Sequence, residues 1–222
     1  YYLLNKDDVN KVIPKKSLER WPIIIFLISA VLCLSFSSSF HLFGIISPSV
    51  HRIYSRFDYG GISLLITGSC FPPTYYYFNC VPLIRNFYII SISTLGIITF
   101  LLCLTNGFHL PSRRAFRGIL FLTFGILSVF PVFHMTLFGH SVKGYVPSIR
   151  IIYWHLGNII YVIGALLYVK RFPEKKYPGK FDYFGSSHQL LHFLVIISVA
   201  FHYFGSLNAY YSRFNNLCYE FN

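Results

Sequence analysis

Two histidines stand four residues apart in the run SSHQLLHFLVIISVAFHYFG, at His188 and His192. On a helix that spacing stacks two imidazoles on one face, the arrangement a metal ion needs from two of its ligands. The surrounding residues are apolar enough to span a bilayer, where a polar side chain is expensive and usually marks a functional position. Ser37 and His41 repeat the four-residue spacing inside another apolar run. Together these side chains predict a zinc site built between membrane helices.

Three neutral imidazoles with one coordination position left open describe a catalytic zinc site rather than a structural one. His41, His188 and His192 provide the three, and no Cys pair competes for the metal. Bound zinc brings the pKa of its water toward neutrality. Asp58 is the candidate to orient that water or take its proton. Ser37, one turn before His41, can donate a hydrogen bond to an oxyanion forming on a carbonyl. The chemistry is metal-assisted hydrolysis of an ester or amide, on a lipid that enters from the bilayer. A plainer reading stays open, since a membrane His is commonly a packing or interfacial residue and a Ser near a helix end is often packing glue. So does a receptor or sensor whose zinc only braces the helices. A channel is the weaker alternative, because Asp58 is the one acidic residue near the interior of the runs.

The elements that must position these residues follow from composition. Hydrophobic residues make up 55% of the chain and charged ones 12%, with a mean hydropathy of +0.55; soluble domains carry about 25% charge. This predicts an all-α, polytopic transmembrane bundle. Six apolar runs, at 21–43, 59–79, 83–104, 118–138, 151–169 and 187–208, are long enough for a hydrocarbon core that takes about 20 helical residues to cross. They form one domain over residues 21–208, preceded by a link at 1–20 and followed by a tail at 209–222. Pro72, Pro73 and Pro131 fall inside runs and are expected to kink them beside a cavity. Tyr75, Tyr76 and Tyr77 read as an interfacial aromatic band.

If every run crosses once, the first ends on the face where the second begins, and the sixth begins on that same face. His41, Asp58, His188 and His192 then share one side of the membrane. Links on that side hold ten basic residues: Arg52, Arg56, Arg113, Arg114, Arg117, Lys170, Arg171, Lys175, Lys176 and Lys180. The other side holds four, Arg85, Lys143, Arg150 and Arg213, or nine with the five basic residues before Trp21. The excess places the site toward the cytoplasm and the C-terminus outside or in a lumen. The net charge of +12 is therefore link charge that reports orientation, and no nucleic acid is expected as a partner.

Of the remaining histidines, His51, His109 and His140 read as solvated link residues. His134 is a helix-packing or cavity residue, and His155 and His202 are packing or interfacial ones. Cys33, Cys70 and Cys103 fall in apolar runs as small packing residues. Cys80 and Cys218 lie on the non-cytoplasmic side, where an oxidising exterior allows a disulfide. The basic stretch 170–180 fixes topology or meets anionic lipid heads.

The stretches CLSFSSSFH and DYGGISLLITGS, followed by RFPEKKYPGKFD and SSHQLLHFLV, resemble the progestin and adipoQ receptor (PAQR) family, most closely its adiponectin-receptor-like branch. The likeness runs from about Leu32 to Gly205. The resemblance implies a seven-helix membrane protein with an inside N-terminus and a zinc ion held by three His near the cytoplasmic face. It also implies an association with the hydrolysis of ceramide to a free fatty acid. The family's zinc ligands match His41, His188 and His192; its water-contacting Asp matches Asp58, and its Ser matches Ser37. An extracellular ligand is not named by the sequence. The family has one more helix ahead of the first run. Residues 1–20 read as the external link after it, in keeping with a chain that starts at Tyr1 and has Met135 as its only Met. The segment YYLLNKDDVNKVIPKK has charges where a signal peptide has its apolar core.

Overall fold

The computed structural model describes residues 18–181 and 183–218, which leaves most of the expected N-terminal link, Asp182 and the last four residues outside it. Among the described residues the chain is helical and has no strand: α1 (Trp21–Phe43), α2 (Pro48–Tyr77), α3 (Pro82–Cys103), α4 (Arg114–Ser128), α5 (Phe130–Phe138), α6 (Ile152–Lys170) and α7 (Ser187–Asn215). α1, α3, the α4–α5 stretch, α6 and α7 are each long and apolar enough to cross a membrane. The chain is an integral, multi-pass membrane protein.

α1 shows how sequence sets the packing. Phe26, Ala30, Cys33 and Ser37 are buried at helical spacing, while Ile24, Ile28 and Val31 face outward. α2 is the central helix, touching α1, α3, α4, α5 and α7. Glycine makes that closeness possible: a Cβ on Gly61 would lie 2.9 Å from the Cys33 Cα. Because α2 faces protein on most sides, it tolerates serines, glycines and tyrosines that a lipid-facing span would not.

Several expectations need correcting. α2 starts at Pro48, eleven residues before the apolar run at 59, because Ser47 caps it (its hydroxyl accepts from the Val50 N–H at 3.2 Å) and Pro48 opens its first turn. His51 therefore lies on a helix and approaches the Gly44 carbonyl at 3.3 Å. α7 continues to Asn215, past the expected end at 208, so the first part of the tail is helix. The cause is Arg213, 1% exposed, which donates to the carbonyls of Tyr76, Tyr77, Gly144 and Asn216. Tyr76 and Tyr77 are no interfacial band. They are buried, and their hydroxyls donate to the carbonyls of Glu19 and Met135.

The chain breaks between α4 and α5 at Val129, just before Pro131, as expected of that proline. Pro72 and Pro73 remain inside a continuous α2. At the end of the bundle opposite the His cluster, Cys80 and Cys218 form a disulfide with Cα atoms 5.4 Å apart. Cys33 and Cys103 are free and buried, and Cys70 is free and half-buried.

Candidate metal centre

α7 is given a firm start. The Ser186 side chain accepts from the Gln189 N–H, and the Gln189 carboxamide oxygen in turn accepts from the N–H groups of Gly185 and Ser186, a reciprocal cap. His188 thus lies in the first turn and His192 one turn later. Their Nε2 atoms are 3.0 Å apart. His41, in the last turn of α1, brings its Nε2 to 3.1 Å from that of His188. One ring nitrogen from each of the three falls within 4.8 Å of the others.

That spacing suits a cation. Two nitrogens each 2.0–2.1 Å from a tetrahedral zinc are separated by roughly 3.3 Å. The rings also meet edge-on, at 67°, 80° and 87° to one another, which lets three lone pairs point inward without stacking. Hydrogen bonding among the rings satisfies the arrangement less well. One Nε2 carries at most one proton, yet the His188 Nε2 faces two other ring nitrogens. A shared cation would serve all three lone pairs.

Ser37 is buried, with its Oγ 3.3 Å from the His192 Nε2. Asp58 is 5% exposed and lies within electrostatic reach of His41 and His192, beside the Ser37 hydroxyl. All five predicted site residues therefore come together. The other histidines stand apart: His134 meets the Tyr88 hydroxyl at 2.9 Å, His155 meets Thr136 at 2.8 Å, His140 packs on Tyr145, and His202 is buried between Phe26 and Tyr161.

A second set of residues around the centre has no signature in the spacing. Arg114 donates to the Tyr168 carbonyl at 2.7 Å and to the Ser187 Oγ at 3.2 Å, and lies over the Tyr168 ring. The Glu174 carboxylate, in the loop between α6 and α7, accepts from the Ser187 N–H and hydroxyl. Partial burial alone would raise the Glu174 pKa. The bonds from Ser187, with the Arg114 charge nearby, outweigh it and hold the group below its usual value. This lattice ties α4, α6 and the loop to the residue next to His188.

A cavity of about 180 Å³ leads inward from Ser37, Asp58, His188 and His192. It follows α2 from Asp58 to Cys70, twelve residues or roughly 18 Å of helix. Its walls are mostly apolar side chains of α1, α2, α4, α6 and α7. Ser69, Cys70, Ser128 and Val129 line it, so the break ahead of Pro131 lies beside the cavity as expected, whereas Pro72 and Pro73 follow Cys70 in a helix that runs on without interruption. Arg117 also lines it. This residue, counted above as link charge, is 3% exposed, donates to the Phe108 and Leu110 carbonyls and lies over the Tyr59 ring. Arg213 is buried as well, so one residue leaves each side of the charge count and the excess stands.

A comparison with known families matches residues 2–203 to the haemolysin-III related family. Among curated relatives, the chain is 39% identical over 207 residues to the heptahelical transmembrane protein ADIPOR3 of Oryza sativa subsp. japonica, covering 92% of this chain and 51% of that one. It is 38% identical over 183 residues to the adiponectin receptor protein of Drosophila melanogaster, covering 81% and 40%. It is also 38% identical over 209 residues to the ADIPOR-like receptor IZH2 of Saccharomyces cerevisiae, covering 94% and 65%. The chain spans about half the length of the first curated relatives it matches. On the family match and on these adiponectin-receptor-named relatives, the chain belongs to the haemolysin-III related (PAQR) family of membrane proteins.

Proposed function

We propose that this chain is a zinc-dependent membrane hydrolase in which His41, His188 and His192 hold one zinc ion and an N-acyl lipid such as ceramide is cleaved to a free fatty acid and an amine. One observation carries the reading: three imidazole nitrogens converge within 4.8 Å of one another, the His188 Nε2 at 3.0–3.1 Å from each of the other two, beside a buried carboxylate at the mouth of an apolar cavity. Zinc, when bound, supplies a water acidified toward neutral pH. Asp58 takes a proton from the attacking water and passes it to the departing amine, so water and amide become acid and amine. The Ser37 hydroxyl donates to the substrate carbonyl oxygen as negative charge develops there. The apolar walls receive the acyl chain. The buried Arg117 guanidinium at the same end suits the carboxylate of the released acid.

The site end is assigned to the cytoplasm. The link-charge excess supports this, and so does the disulfide at the opposite end, which belongs in an oxidising compartment. A second reading has the printed names of the relatives in its favour, since two of them are called receptors. In it the zinc only clamps the ends of α1 and α7, and signalling passes to a partner. Zinc content and ceramide turnover of the purified full-length protein, wild type beside Asp58→Asn, separate the two. Hydrolysis lost with zinc retained supports the enzyme. Zinc present with no hydrolysis of any N-acyl lipid supports the receptor.

A further inference from the structure

The far end of the cavity is not uniformly apolar. Ser128 is 2% exposed and its Oγ has no hydrogen-bond partner; the buried Tyr161 hydroxyl also has none. Both residues line the cavity. Among the described residues one other serine hydroxyl, that of Ser198, is buried without a partner, but it does not line the cavity. Ser63, Ser69, Ser93 and Ser206 all donate to a carbonyl three or four residues back in their own helix. Tyr76 and Tyr77 donate to backbone carbonyls. Ser128 ends α4, where the chain breaks ahead of Pro131, and its own carbonyl already accepts from the Cys70 thiol at 3.3 Å. One turn earlier, a Cβ on Gly125, which also lines the cavity, would meet nothing within 4 Å, so the wall is open at that position.

An unpaired hydroxyl in a membrane interior is costly, and a wall meant for hydrocarbon would have Phe and Ala at these positions. Depth identifies the occupant. Ser128 lies eleven residues along α4 from Arg117, and the neighbouring Cys70 lies twelve along α2 from Asp58, which is roughly 16–18 Å. That is about the half-thickness of a bilayer's hydrocarbon core, the depth that one acyl chain reaches. An oxygen held there would sit near the methyl end of the chain.

We propose that Tyr161 and Ser128 form a second polar subsite, which binds a hydroxyl at the far end of a lipid chain whose head lies at the His cluster. The inference rests on the reading of the cavity as an acyl-chain pocket. The cavity then selects terminally hydroxylated chains over plain ones.

Binding of 16-hydroxyhexadecanoate, 10-hydroxyhexadecanoate and hexadecanoate to the full-length protein in nanodiscs, each competing with radiolabelled hexadecanoate, tests this. The wild type should bind the 16-hydroxy acid roughly three- to tenfold more tightly than the plain acid, the equivalent of one net hydrogen bond. The 10-hydroxy acid should gain nothing. In the double variant Tyr161→Phe, Ser128→Ala the preference of the 16-hydroxy acid over the plain acid should vanish. The variant should melt at or above the wild-type temperature, because only unpaired hydroxyls are removed. A wild-type ratio of one, a ratio that survives the double variant, an equal gain for the 10-hydroxy acid or a lower melting temperature overturns the subsite. Failure of every acid to bind the wild type instead overturns the acyl-chain reading, and the subsite with it.

Discussion

The Nε2 atoms of His41 and His188 lie 3.1 Å apart across 147 positions of sequence, joining the end of α1 to the start of α7. A bound ion would make this contact a clamp. Metal analysis of the purified protein should find about one zinc per chain, strongly reduced in His188→Ala and in His192→Ala. His109→Ala, in a link away from the centre, should retain it. Equal retention in all three would remove the site.

Asp58→Asn keeps the size of the side chain and removes its charge. Turnover of an N-acyl lipid should fall on the order of 10²–10⁴-fold, the scale of general acid–base assistance. Ser37→Ala should cost on the order of 10²–10³-fold, the scale of one oxyanion donor. Zinc content should change little in either. Wild-type rates in both would show that these side chains serve no catalytic purpose.

Arg213 anchors the end opposite the centre. Arg213→Ala would leave the buried Tyr76 and Tyr77 carbonyls without their donor, at about 1–3 kcal/mol for each unsatisfied group. The melting temperature in detergent should drop by several degrees. Arg213→Lys should recover only part of the loss, because an ammonium cannot reproduce the guanidinium fork. A melting temperature unchanged in Arg213→Ala would mean the carbonyls find other donors.

Glu174 predicts a pH dependence with a definite sign. Its pKa is depressed in the folded protein, so its contribution to stability is present above the unfolded value of about 4.3. That contribution disappears as the pH falls through the lower, folded value. Wild type should therefore be more heat-stable than Glu174→Gln at pH 7, and the gap should close below about pH 4.3. Subtracting the variant removes acid effects that the two share, such as protonation of the His cluster. A gap that stays constant on acidification would count against the Ser187 contact.

Orientation is checked by a cleavable tag after Asn222. Protease added to sealed vesicles from the non-cytoplasmic side should reach it. Access only from the cytosolic side would reverse the assignment and put the His cluster outside.

Much of the molecule was legible in the order of its residues. The apolar runs near 21–43, 83–104 and 151–169 became helices with nearly those bounds, because lipid-facing helices must be continuously apolar and satisfy their backbone internally. The His188 and His192 pair was readable because a helix turns the spacing of four into one face. Membrane topology, with no distances, was enough to bring His41 and Asp58 to the same side.

What tertiary structure decided lies where packing replaces lipid as the environment. α2 carries Arg52, Arg56 and many small residues, so hydropathy hid its first eleven residues, which a Ser47 cap and neighbouring helices sustain. Tyr76 and Tyr77 resemble interfacial residues in sequence, and distant carbonyls draw them into the core. Arg117 and Arg213 resemble link charges until the fold surrounds each guanidinium with backbone oxygens. Glu174 and Ser187, thirteen positions apart, meet only because α6, its loop and α7 fold back on Arg114. Local periodicity reports which face of a helix is apolar; it does not report which polar groups the rest of the chain will supply with partners.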